Sequence, residues 1–230
     1  MAYILNIETS TEVCSVALTD SGGVLEHRED YSGRNHAQLL SGYIEEMMRY
    51  ATPRGIKLDA VAVSIGPGSY TGLRIGLSEA KGLAFGLGVP LIAVDTLKLL
   101  CVSAMFAHEL PDDVIFIPMI DARRMEVFSG AYDLALRELM EPQAVILDEN
   151  SYADIRALGR PIVLLGNGSD KAAPLLAGDK VTHIAGIKPV AVDMLALAEL
   201  AFRRQEFADV AYVTPRYLKE FQATTPRRKF

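Results

Sequence analysis

The feature that most limits the fold of this chain is a pattern it writes twice. ILNIETSTEVCSVAL at 4–18 and IFIPMIDARRMEVFSGA at 115–131 each read as an apolar strand, an acid, a polar turn and a return strand. VSIGPGS at 63–69 and VLLGNGS at 163–169 each read as an apolar strand running into Gly-x-Gly-Ser. Both matches come in the same order, which points to a duplicated α/β unit facing its copy across a cleft, the second copy shortened. The expected units are residues 1–108, with the longer helices, and residues 109–230, whose final helix or tail packs back on the first.

Period and punctuation place the elements. Tyr3–Ile7, Val13–Leu18 and Val24–Tyr31 read as strands, the last two joined by a hairpin at Ser21-Gly22-Gly23. Asn35 is positioned to cap a helix in which Leu39, Leu40, Tyr43, Ile44, Met47 and Met48 recur at helical spacing. Asp59–Ile65 is nearly continuous in apolar residues, as in a buried parallel strand. GPGSYTGLRIG at 66–76 follows, then a helix to Gly88, a strand at Leu91–Val94, and a further helix capped by Asp95 or Thr96. In the second half Val114–Ile120, Met125–Tyr132 and Pro161–Leu165 read as strands, Arg123-Arg124 as a turn and Val190–Phe202 as a helix. The tail TTPRRKF at 224–230 is basic and uncapped.

Composition narrows the function. Half of the 230 residues are hydrophobic, enough for a core, and the formal charge is −6, which argues against an electrostatic nucleic-acid binder acting alone. Cys14 and Cys101 sit far apart in apolar surroundings and read as reduced core residues. The N-terminal stretch lacks a basic region followed by a long apolar run, so a soluble cytoplasmic protein without membrane contact is expected.

The candidate phosphate contacts are Glu8, Thr9, Ser10, Thr11, Gly66, Pro67, Gly68, Ser69 and Asp121. A strand-end acid can reach a metal-bound water or a phosphate, and a glycine turn that opens a helix offers N–H groups to an anion. Each has an alternative. Glu8 would serve equally as a surface acid at a strand end, and Asp121 as its echo. The hydroxyls of Thr9, Ser10 and Thr11 would serve their own backbone, and the glycines a tight turn. The stretch is not a Walker A loop, because the Gly-Lys-Ser/Thr ending is missing.

Gly72, Gly76, Gly82 and Gly86 raise a separate question. A helix-interior glycine costs roughly 1 kcal/mol relative to alanine, so four need an offset. Close approach of a backbone is the natural one, from the protein's own sheet or from a partner helix. The stripe from Leu39 to Met48 is likewise either two core rows or a core row beside a partner surface.

ILNIETSTEVCSVAL, NHAQLL, GPGSYTGLRIGLSEAKGLA and DARRMEVF resemble the TsaB (YeaZ) family, with looser similarity through GNGSD and TPRYLK. That resemblance implies the actin-like, sugar-kinase and Hsp70-like (ASKHA) α/β fold, two RNase H-like halves with the second reduced. It implies a non-catalytic subunit for threonylcarbamoyl transfer to adenosine 37 of tRNAs reading ANN codons. The partners implied are a TsaD-type transferase and a TsaE-type ATPase, with tRNA met only through the complex and a homodimer when alone. No cofactor is expected to be firmly bound; the places open to ATP or ADP are this chain, the partner's site and the complex interface. The partner interface implied is His36, Leu39, Leu40, Tyr43, Met47, Gly72, Arg74, Gly76, Leu77 and Ala80.

The related TsaD (Kae1) family carries a His-x-x-x-His pair for a metal after the strand that follows its glycine stretch. Here Thr96 and Leu100 stand in those places, and His27, His36, His108 and His183 contain no pair at i,i+3 or i,i+4. Two other readings compete. An M22-type peptidase lacks a His-Glu-x-x-His helix and an assignable serine–histidine or cysteine–histidine arrangement. A small-molecule kinase of the same fold would need a larger second half.

Overall fold

The computed structural model describes residues 2–33 and 35–219. The basic tail at 224–230 lies outside the described residues. Among the described residues ten strands form two five-stranded sheets. In the first, β1 (Ile4–Glu8), β2 (Cys14–Asp20), β3 (Gly23–Asp30), β4 (Ala60–Gly66) and β5 (Leu91–Asp95) run in the order β3-β2-β1-β4-β5. In the second, β6 (Ile115–Asp121), β7 (Glu126–Asp133), β8 (Glu138–Ile146), β9 (Ile162–Leu165) and β10 (Val181–Ile184) run in the order β10-β9-β6-β7-β8. These orders are the same topology. Each half starts with an antiparallel meander and then adds two parallel strands beside its first.

The helices show how the second half is reduced. α1 (His36–Ala51) and α2 (Tyr70–Leu87) have 16 and 18 residues, whereas their counterparts α4 (Ala153–Ala157) and α5 (Ser169–Ala172) have five and four. This is the ASKHA class of α/β fold, with two RNase H-like halves. α1 and α2 cover one face of the first sheet, burying Leu40, Ile44, Met47, Leu77, Ala80 and Ala84 against Leu5, Ile7, Val16, Val61 and Val63. α3 (Thr96–Ala107) lies between the sheets. Its Leu99 packs on the first sheet, while Leu97, Leu100, Cys101 and Ala104 pack on Phe116, Ile120, Val163 and Leu165 of the second. α6 (Leu195–Arg204) returns to the first sheet, with Ala198 against Ile4, Ala60 and Ile92. Cys14 and Cys101 are both free and buried.

Two strands are absent from the sequence reading. β8 contains Pro142, which lacks an N–H to donate and is tolerated because β8 is an edge strand. β10 is only four residues long. The helix expected at Val190–Phe202 divides into a 3-10 turn at Ala191–Met194 and α6. Asn35 stands at the N-cap of α1 without capping it. Its Nδ2 donates to Ser32 Oγ at 3.0 Å instead.

Candidate functional site

A cleft of about 1070 Å³ opens between the halves where β1, β4 and β6 end. The β1–β2 turn, the N-terminus of α2 and the hairpin after β6 form its walls, through Thr11, Glu12, Tyr70, Thr71, Asp121 and Arg123.

The GPGSYTGLRIG stretch lies directly on the β1–β2 turn. The Ser69 N–H donates to Ser10 O at 2.6 Å, and the Thr9 hydroxyl donates to Gly72 O at 2.9 Å. A Cβ on Gly68 would stand 2.3 Å from Ser10 O, one on Gly72 2.1 Å from Thr9 O, and one on Gly76 2.2 Å from Thr9 Oγ1. Only glycine permits that approach. The atoms meeting these three glycines are the protein's own, backbone at Gly68 and Gly72 and the Thr9 side chain at Gly76. Gly82 and Gly86, further along the same helix, have nothing within 4 Å of where a Cβ would stand.

Most candidate phosphate ligands are committed elsewhere. Ser69 caps α2, its Oγ accepting from Gly72 N at 3.2 Å, and Thr11 Oγ1 accepts from Val13 N at 3.4 Å. Gly66 and Pro67 are buried, Gly66 against Leu73 and Arg216 O. Ser10 Oγ is fully buried and has no partner among the described residues.

The two strand-end acids differ sharply. Glu8 is neither a cleft acid nor a surface acid, because it is wholly buried beneath its own turn. Its Oε1 accepts from the Ser10 N–H, and its Oε2 has no partner among the described residues. Burial pushes its pKa up to about 7, against the opposing pull of the Ser10 N–H hydrogen bond. Asp121 is exposed and ion-paired to Lys171, whose Nζ also donates to Arg124 O and Glu126 O.

A second acid lines the cleft beside Asp121: Glu12, which the sequence reading missed. It joins the halves, with Lys188 Nζ 3.1 Å from Oε1 and Asn167 Nδ2 3.2 Å from Oε2. Burial would raise its carboxyl, but its own backbone N–H, Lys188 and Asn167 outweigh that and hold it below the usual range. Asn167 Oδ1 in turn accepts from the Asp121 N–H at 2.9 Å. No spacing rule marks Glu12, because its partners lie in the other half.

Most of the interface residues expected on α1 and α2 turn inward. Leu40, Met47, Gly72, Gly76, Leu77 and Ala80 are all buried in the chain's own core, and the His36 ring is held to Val13 O at 3.1 Å. Leu39 and Tyr43 are half-buried against that core. Arg74 alone of the set is fully outward, its guanidinium 4.1 Å over the Tyr70 ring and its Nε donating to Tyr217 OH at 3.0 Å. The helices' outer faces carry Ala37, Ser41, Gly42, Ser78 and Gly82, and Ser41 Oγ donates to Glu79 Oε1 at 2.6 Å to link them.

A serine–histidine contact also escaped the sequence. Ser169 Oγ lies 2.9 Å from His183 Nε2, and Asp170 Oδ1 lies 3.3 Å from that same nitrogen. A hydrolytic triad needs an accessible hydroxyl and an acid on the opposite ring nitrogen. Ser169 is fully buried with its hydroxyl on Gly166 O, so this contact braces α5. Among the described residues no three of His, Cys, Asp or Glu are grouped to hold a metal.

Residues 15–226 match the family model described as TsaD: tRNA N6-adenosine threonylcarbamoyltransferase. The tRNA threonylcarbamoyladenosine biosynthesis protein TsaB of Escherichia coli is 32% identical over 222 residues, covering 94% of each chain. The chain belongs to the TsaB (YeaZ) family. The Bacillus subtilis protein of the same name is 29% identical over 224 residues, covering 96% of this chain and 95% of its own. The solved structure of YeaZ from Pseudomonas aeruginosa superposes with a TM-score of 0.82 at 29% identity, covering 95% of this chain and all of that one. The B. subtilis tRNA N6-adenosine threonylcarbamoyltransferase is similar over a shorter stretch, 29% identical over 130 residues and 36% of its length.

Proposed function

We propose that this chain is a non-catalytic subunit in the synthesis of threonylcarbamoyladenosine on tRNA. It docks a TsaD-type transferase and supports transfer to adenosine 37 of ANN-decoding tRNAs. It meets tRNA only within that complex, together with a TsaE-type ATPase, and forms a homodimer when alone. Its relatives' shared name supports the pathway.

The observation that carries the subunit role is how the cleft spends its polar groups. Glu8 is sealed beneath its turn, Glu12 is bound by Lys188 and Asn167, and Asp121 is bound by Lys171. Thr96 and Leu100, where the TsaD family places its metal-binding pair, are both buried in α3 packing. A site that stabilises a transition state keeps its donors aimed at the reacting group, whereas these are aimed at each other. A nucleotide is accordingly assigned to the interface with the transferase. The docking surface we assign is the outer face of α1 and α2, around Ala37, Ser41, Gly42, Arg74, Ser78 and Gly82. There the open glycines permit a partner helix to approach closely.

An omit-one reconstitution tests this. The chain, a TsaD-type transferase, a TsaE-type ATPase and a threonylcarbamoyl-adenylate synthase are combined with tRNA, threonine, bicarbonate and ATP, and modified adenosine is quantified. Loss of product on omitting this chain, with none when it replaces the transferase, is the expected result. Full modification without it would refute the subunit role. Peptide cleavage that survives purification and vanishes in a point variant would favour a peptidase.

A further inference from the structure

The hairpin between β6 and β7 holds an unexplained pair of charges. Arg123 and Arg124 have successive positive φ values of 69° and 48°. That conformation is unfavourable for any residue with a side chain, and arginine has no local hydrogen bond to offset it as asparagine does. Glycine or asparagine would occupy both positions with less strain. Backbone strain kept at an exposed turn calls for a use of the residues that bear it.

The surrounding charges sharpen the point. The hairpin's two acids are both neutralised from outside it, Asp121 by Lys171 and Glu126 by Lys219 at 2.9 Å. Arg123 and Arg124 are exposed, and among the described residues neither guanidinium has an ion-pair partner. Two unpaired positive charges therefore stand on this hairpin, Arg123 lining the cleft and Arg124 next to it, in a chain of formal charge −6. On the opposite wall, Arg74 lies over Tyr70, and the exposed Tyr217 ring packs 5.1 Å from the Tyr70 ring.

Paired arginines match phosphate oxygens through forked N–H groups. An exposed tyrosine beside an arginine offers a base a ring to stack on. An acidic protein partner would use the cations but not the ring. We infer that the Arg123–Arg124 turn is a contact for the phosphate backbone of RNA, with the Tyr217 ring receiving a base beside Tyr70 on the facing wall. This rests on the function proposed above and gives the chain its own share in holding the tRNA within the complex.

The test uses the complex with the TsaD-type transferase and a labelled anticodon stem-loop RNA of an ANN-decoding tRNA, with affinity measured over a salt series. The double variant Arg123→Asn, Arg124→Gly removes both charges while suiting the backbone, so it folds at least as well as the parent. Arg123→Lys, Arg124→Lys keeps the charge. The expected result is binding about tenfold weaker for the Asn-Gly variant, with a log–log salt slope shallower by about 2. The dilysine variant should retain most of the affinity, and transferase binding should be unchanged in both. Unchanged RNA affinity and slope in the Asn-Gly variant, while the parent complex still modifies tRNA, would overturn this inference alone. Weakened transferase binding with full RNA affinity in the assembled complex would also overturn it and assign the turn to a protein partner. A parent complex that neither binds nor modifies tRNA would refute the proposed function, and this inference with it.

Discussion

α2 has two glycine rows that look alike in the sequence and do opposite things in the structure. Gly72 and Gly76 face inward, where Thr9 leaves no room for a Cβ. Gly82 and Gly86, further along the same helix, touch nothing within 4 Å. The inner row holds the helix on the β1–β2 turn and so shapes the cleft. The outer row does nothing for the isolated chain, which is why it belongs to the proposed docking face. A residue type alone therefore does not distinguish a packing site from a binding site. What distinguishes them is the distance to the next backbone.

The contrast is broken most severely from the inside. Gly72→Val would drive a branched side chain into Thr9 O, and we expect more than ~4 kcal/mol of lost stability or failure to accumulate as folded protein, read by chemical denaturation. Met47→Asp comes next. Met47 is fully buried, so a carboxylate there should cost about 4 kcal/mol. Any loss of partner binding would then follow from unfolding. Retention of the parent melting temperature would contradict the inward placement of this helix face.

Glu8 probes the same inner region through pH. Its folded pKa is raised from 4.5 to about 7 by burial, so between those values the folded chain keeps a proton that the unfolded chain releases. Stability should therefore fall as pH rises through that window and level off above about 7. Glu8→Gln should remove this slope and be more stable than the parent at pH 8 by up to ~3 kcal/mol, with no comparable gain at pH 4. Parallel stability–pH curves for the two proteins would contradict a sealed, uncompensated carboxyl. The smallest effect is expected on the outer row. Gly82→Ala lies in a helix interior with open space and should gain about 0.5–1 kcal/mol in the isolated chain, measured by thermal unfolding.

Much of the fold is legible in the sequence because its signals are local. The hairpin at Ser21–Gly23, the buried strand before GPGS, the helix stop at Gly88 and the doubled strand–acid–turn pattern all depend on neighbouring residues. β8 was hidden by Pro142, which argues against a strand unless the strand is known to be an edge. The site was less legible because its content is relational. Nothing near Glu8 in the chain says that a glycine helix closes over its turn, or that Glu12, four residues on, is the acid that crosses to Asn167 and Lys188. Helical spacing picks out Leu40, Met47, Leu77 and Ala80 but does not say what they face. Their burial under α1 and α2 required the sheet.

The most direct test of the two-faced helix is the affinity of Gly82→Arg for the TsaD-type transferase, measured by calorimetry beside its melting temperature. The account predicts a melting temperature at or above the parent's and binding weakened at least about tenfold, because a long side chain would block close helix approach without touching the chain's own core. Parental affinity in a well-folded Gly82→Arg protein would contradict it and move the docking face away from α2.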